Sequence, residues 1–138
     1  RLTTAVSPRA IELRIVAAAS AAVLLTAHSV VAILAVGGIT ARVGAAAGLS
    51  KYRRANLLDV TVCTYPFLLP YFIPPILTAS ATASGDALGV PRVSPLDAGL
   101  HNVYSWALLG IVLMAVLTGY GRHEGADSVP DHDANPVA

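Results

Sequence analysis

The sequence predicts an all-α integral membrane protein with about three transmembrane helices, the middle one broken by prolines or re-entrant. Two observations carry that class. Apolar residues make up 55% of the chain and charged residues only 12%, about half the charged share of an average soluble domain; mean hydropathy is +0.66. Three stretches, 15–41, 60–85 and 98–121, contain no Asp, Glu, Lys or Arg, and each exceeds the ~20 residues that cross a ~30 Å hydrocarbon core.

The first element opens at Ser7-Pro8, a capping hydroxyl followed by a proline at the first helical position, where its missing N–H costs nothing. A single helix is expected over 8–36, stopped by Gly37-Gly38. It is rich in Ala, with Ser20, Thr26 and Ser29 among Val, Leu and Ile. Such small residues let neighbouring membrane helices approach closely, so this helix is expected inside a bundle. The second element is expected as a broken helix over 56–83, because residues 65–75 read YPFLLPYFIPP. The third opens at Ser94-Pro95, with Asp97 as a capping carboxylate, and is expected over 95–119. Tyr104, Trp106 and Tyr120 stand where interfacial aromatics belong, around the bulky run LLGIVLMAVL. The membrane-embedded portion thus runs over 1–122, and the polar, acidic residues 123–138 are expected to be a disordered tail.

Charge excludes some functions. A net charge of +1 with scattered basic residues gives no stripe for nucleic acid. Cys63 is the only cysteine, so no intramolecular disulfide is expected. The histidines show no ligand spacing and there is no phosphate loop or nucleophile elbow, so neither a metal, a cofactor nor an enzymatic activity is expected. With three spans, Arg42, Lys51, Arg53, Arg54 and Arg122 share one side, and Arg1, Arg9, Arg14 and Arg92 the other. By the positive-inside rule, five against four puts the first side in the cytoplasm. The start at Arg1 points to a piece of something longer, and the excess of Arg over Lys to a bacterial protein of the plasma membrane.

The prolines are the first candidate for chemistry. In a helix, Pro66, Pro70, Pro74 and Pro75 would free the carbonyls of Val62, Pro66, Pro70 and Tyr71, one turn back from each ring. Two readings are open: unwound carbonyls that coordinate a cation, as in transporters, or a kink whose freed groups are answered by neighbouring Ser and Thr. Asn56, Asp59 and Cys63 follow at i, i+3 and i+7 on one helical face, with Thr61 and Thr64 nearby. A carboxylate entering a span is costly and points to protons or cations; the other reading is an interfacial Asp59 that pairs with Arg54 or caps the helix. His28, flanked by Thr26 and Ser29, is either a proton-carrying imidazole or a packing residue bonded within the bundle.

These residues carry a resemblance. TAHSVVAI at 26–33, followed by RRANLLDVTVCTYPFLLPY at 53–71, resembles the NhaC-type sodium/proton antiporters of the ion transporter superfamily. The second element matches through Ala55, Asn56, Leu57, Leu58, Asp59, Cys63, Pro70 and Tyr71; in the first, His28 and Ser29 stand where many relatives have an Asn pair. The likeness covers roughly residues 7–122 and implies the C-terminal part of a longer transporter with two related halves. It implies that Asp59 binds H⁺ or Na⁺ in turn, helped by Asn56, Thr61, Thr64 and the carbonyls of the break, with Thr26, His28 and Ser29 facing the site.

Sodium/proton antiport is therefore the leading expectation, in a lipid bilayer, with a missing N-terminal part and a homo-oligomer as partners. The alternatives are an ion-coupled carrier of organic anions or amino acids, with Arg53 or Arg54 serving the anion, and a non-transporting three-span scaffold.

Overall fold

Serine and asparagine write most of the helix starts. The computed structural model describes residues 7–122, and among these every regular element is helical. Helix α1 (Pro8–Thr26) starts at Ser7, whose hydroxyl accepts the Ala10 N–H, and α2 (Ser29–Ala46) follows it at once. Helix α3 (Lys51–Thr64) starts at Ser50, whose hydroxyl accepts the Arg53 N–H. A 3₁₀ turn (Tyr65–Phe67) ends α3, and α4 (Ile73–Ser84), α5 (Pro95–Leu100) and α6 (Val103–Thr118) complete the chain. The caps of α5 and α6 are Ser94 and Asn102.

The expected helix over 8–36 is two helices. Ala27 adopts the left-handed conformation (φ 51°, ψ 22°) and its N–H bonds the Val23 carbonyl, which closes α1; the extended His28 then starts α2. The chain reverses there. A Cβ on Gly44, near the end of α2, would touch Ile15 of α1 and overlap the aliphatic stem of Arg54 on α3. The pair is an antiparallel hairpin in which Ala19 and Ala32 are fully buried. Gly37 and Gly38 do not stop the helix as expected but lie inside α2, since an interior glycine costs only about 1 kcal/mol and Gly37 admits Leu58 of α3.

The third expected helix is divided too. Over 95–119 the chain breaks at His101 and Asn102, whose amide oxygen accepts the Ser105 N–H, and Trp106 answers the end of α5 by donating its indole N–H to the Leu100 carbonyl at 2.8 Å. The broken middle element begins earlier than expected, at Lys51. By length and composition, α2 is the described helix that could cross a membrane, and α6 is a shorter apolar one. The expected tail over 123–138 lies outside the described residues.

Two apolar clusters hold the bundle. Ala19, Val23, Ala32, Leu58, Val62 and Phe72 join α1, α2 and α3 to the segment after the 3₁₀ turn. Ile11, Ile15, Leu49, Leu57 and Val116 join α1, α3 and α6.

Beside the second cluster sits a buried ion triad. Glu12 is fully buried and accepts from Arg53 Nε at 2.9 Å and from Arg122 Nε at 3.1 Å. Arg53 also donates to the carbonyls of Ala115 (2.7 Å) and Tyr120 (3.0 Å), so one guanidinium ties α1 to α3 and closes the C-terminal end of α6. The hairpin brings Arg9 and Arg14 to the same end as Arg42, Lys51, Arg53, Arg54 and Arg122. The expected division of five against four is thereby replaced: of the eight described Lys and Arg, seven share one end, and Arg92 lies in the loop after α4, paired with Asp86.

Removing one partner of a buried ion pair costs roughly 3–5 kcal/mol, because the other charge stays buried. Glu12→Ala is therefore expected to lower the thermal midpoint of the purified protein strongly. Arg53→Ala should cost at least as much, since it also opens α6, whereas Arg92→Ala, which breaks an exposed pair, should cost under about 1 kcal/mol.

Candidate functional site

The proline segment resolves the question of its own carbonyls. Pro74 and Pro75 fall in the first turn of α4, where no intrahelical N–H partner is required; Pro70 lies in the turn between the helices, and Pro66 in the 3₁₀ turn that ends α3. None of the four interrupts a helix interior. The break itself falls where expected.

Of the four carbonyls expected to be freed, that of Val62 accepts a side-chain hydrogen bond. Ser29 Oγ, in the first turn of α2, donates to it across 3.4 Å. The tip of the α1–α2 hairpin therefore meets the broken end of α3. A second tie lies close by, where Tyr65 donates its hydroxyl to Ser20 Oγ at 2.7 Å. Two interruptions of helix are held side by side.

The tip has its own hydrogen bonds. Thr26 Oγ1 donates toward the carbonyls of Ala22 (2.8 Å) and His28 (3.1 Å) and accepts from the His28 N–H. His28 is exposed and its side chain does not cap α2. The remaining expected residues divide between two faces of α3. Thr61 and Thr64 are buried, each donating one turn back, to the carbonyls of Leu57 and Val60. Asn56 and Asp59 are exposed.

Asp59 does not cap α3, which Ser50 does, and the Arg54 guanidinium reaches the carbonyls of Ser50 and Ala41. Asp59 accepts from the Cys63 thiol at 3.9 Å. Cys63 is half-buried against the first core cluster, so the face of Asn56, Asp59 and Cys63 leads from the open side of α3 to its break.

Compared with known families, curated proteins and solved structures, the chain matches no family model, no curated protein and no solved structure.

The sequence reading did not find three residues of this region. Ser105 is fully buried in the first turn of α6 and its hydroxyl has no partner among the described residues. Its neighbour Tyr104 packs edge-on against Phe67 of the 3₁₀ turn, with ring centroids 6.0 Å apart, so the orphan hydroxyl lies near the level of the break. Gly99 packs so tightly on this segment that a Cβ would overlap the Leu68 carbonyl. Ala27, the third, is the left-handed residue of the tip; the polar run Thr-Ala-His-Ser inside an apolar stretch was the signal for it.

At this site backbone geometry can be tested directly. A left-handed residue with a Cβ costs roughly 1–2 kcal/mol. Ala27→Gly should leave thermal stability unchanged or raised, and Ala27→Val should lower it by at least about 1 kcal/mol. Ser29→Ala should cost about 1–3 kcal/mol by leaving the Val62 carbonyl unanswered, and Gly99→Ala about 1–3 kcal/mol by overpacking. Thermal unfolding of the purified protein reads all four.

Proposed function

We propose that this chain is the C-terminal part of a secondary active transporter of the plasma membrane that exchanges Na⁺ for H⁺, with Asp59 as the carboxylate that takes one or the other. The observation that carries this reading is the meeting of the two helix breaks, Ser29 Oγ on the Val62 carbonyl. Paired discontinuous helices, with half-helix ends and unwound carbonyls near the bilayer midplane, are how secondary transporters build ion sites.

The surface supports a membrane setting. Leu34 of α2 is 79% exposed and Leu25 at the tip 87%, and Val30, Val31 and Ile39 of α2 and Ile111, Met114 and Leu117 of α6 are exposed too. Apolar exposure on this scale calls for lipid or protein cover. The end with seven basic residues would face the cytoplasm, and the α1–α2 hairpin would enter and leave the bilayer from that side.

In this mechanism Asp59 holds a proton when protonated and a hard cation when ionised, with further oxygens from Asn56 on the same face and the carbonyls around the break; Thr61 and Thr64, on the buried face of α3, stay outside the set. A carboxylate occupied by a proton offers the cation no charge, so the two ligands exclude each other. Ser29 ties the hairpin tip to the break and Thr26 braces the tip itself, and movement of that tip would open the site.

The test is dissipation of a pH gradient in inside-out vesicles carrying the full-length protein, with Na⁺, Li⁺ or K⁺ added in turn. A Na⁺-dependent collapse is expected, and Asp59→Asn should abolish it while the protein still inserts. Exchange retained in Asp59→Asn overturns the assignment. No response to any cation, together with counterflow of a labelled carboxylate, would replace antiport by organic-anion transport.

A further inference from the structure

Residues 73–100 stand apart from the bundle. Helix α4, the 3₁₀ turn Asp86–Leu88 and α5 pack on one another, and neither apolar cluster takes a residue from them. Within this stretch the buried residues are Pro75 near its start and Gly99 near its end. Its own ties are internal. The Val93 N–H donates to Thr82 Oγ1 at 3.2 Å, Arg92 pairs with Asp86 at 2.6 Å, and a Cβ on Gly85 would press on Val90 at 3.0 Å. Ser94 caps α5 and donates to the Asp97 carboxylate at 2.6 Å. The two limbs are thus locked to each other rather than to the bundle.

Two chain crossings join this arm to the rest, and they are neighbours. At the first, Phe72 is extended and its side chain is buried in the first cluster, which anchors the bundle side; Pro74 and Pro75 fix φ in the first turn of α4, which stiffens the arm side. At the second, His101 and Asn102 separate α5 from α6, with Asn102 capping α6. Gly99 lies against the Leu68 carbonyl and Tyr104 against Phe67, so the crossings sit side by side. Two adjacent pivots define one axis, about which the arm can swing while twist is resisted. Hinges place such changes of φ and ψ on a few residues at element ends. The ties of the hairpin, Ser29 to Val62 and Tyr65 to Ser20, lie on the bundle side of the first crossing, so the arm can move without disturbing them.

We propose that residues 73–100 form a rigid lid over the proline turn, swinging about Phe72 on one crossing and His101–Asn102 on the other. In the closed position Gly99 covers the Leu68 carbonyl so tightly that any side chain would collide with it. Opening bares the backbone of residues 68–72. Little opposes that motion, because the burial lost is that of Pro75 and Gly99, and segments with few buried contacts open at low free energy. The bond from the Trp106 indole to the Leu100 carbonyl lies at the second pivot itself, where a swing displaces it least. The inference rests on the packing of the arm and not on antiport.

The experiment is double electron–electron resonance on the full-length protein, with spin labels placed in pairs at exposed positions in a Cys63→Ser background. Ser80 with Leu96 reports on the arm, Leu24 with Tyr52 on the bundle, and Ser80 with Tyr52 on the angle between them. The first two pairs should each give one distance, and the third should give two, a major closed and a minor open. Gly99→Ala should raise the ratio of open to closed roughly tenfold, the scale of one overpacked contact. Ala83→Ser, on the exposed side of α4, should leave that ratio unchanged. A single distance between Ser80 and Tyr52 in both the parent and Gly99→Ala overturns the lid. A second distance between Ser80 and Leu96 overturns it too, since the arm would then not be rigid. Should Gly99→Ala not fold, the third pair in the parent protein decides alone: two distances support the lid and one overturns it.

Discussion

Because Ala27 turns left-handed, α2 runs back along α1 instead of extending it, and the other long-range contacts of the bundle follow from that reversal. A 29-residue continuous helix would have carried Glu12 and Ala32 to opposite ends of a rod about 30 Å apart. Folded back, the same residues lie in one bundle, Glu12 at the end where α3 starts and Ala32 near the end where it breaks. The energy needed for one residue in an unfavourable conformation is small beside the apolar burial it makes possible around Ala19, Val23 and Val62, each fully buried. Thr26 lowers that energy further by taking up the backbone of the turn on both sides.

The two ends of the bundle are built on different principles. At the basic end the contacts are ionic and multiple: Glu12 receives two guanidinium groups, and Arg53 closes the C-terminal carbonyls of α6 while it does so. Such a set is stiff, since loss of any member leaves a buried charge or carbonyl unmatched. At the broken end the ties between hairpin and α3 are neutral hydrogen bonds, Ser29 to Val62 and Tyr65 to Ser20. Neutral bonds of this kind are worth about 1 kcal/mol each. The molecule is thus clamped by charge at one end, while at the other the apolar cluster around Val62 holds the hairpin, with two neutral hydrogen bonds fixing its register.

Legibility in the sequence followed the strength of the local signals. The Ser-Pro starts, the helical class and the position of the proline break could be read directly, because capping and proline act within one turn of the chain. The hairpin could not, since Ala has the highest helix propensity of any residue and nothing local to Ala27 demands a left-handed turn; only the polar neighbours Thr26, His28 and Ser29 marked the place. That error carried into the charge count, which placed Arg9 and Arg14 at the wrong end. Gly37 and Gly38 misled in the opposite direction, being read as a stop when both lie inside α2 and Gly37 admits Leu58 of α3. Asn102 was a capping residue hidden within an apolar run. Of the candidate residues, periodicity grouped Asn56, Asp59 and Cys63 correctly on one face, but adjacency in sequence could not reveal that Thr61 and Thr64 turn to the opposite, buried face of α3.

The electrostatics of the meeting breaks bear on what such a site would hold. The N-terminal end of α2 carries about half a positive charge and the C-terminal end of α3 about half a negative one. The first turn of α2 holds no acidic residue and the last turn of α3 no basic one, so neither partial charge is cancelled by its own helix. Placed side by side, they largely cancel each other. The net charge of the region is then set by Asp59, one turn before the break. A single carboxylate balances a single monovalent cation or a single proton, and a divalent ion would keep excess charge in an apolar setting, at high cost. On the transport reading, this favours a one-for-one competition between H⁺ and a monovalent cation at the same pair of oxygens, with the hairpin tip as the part that moves.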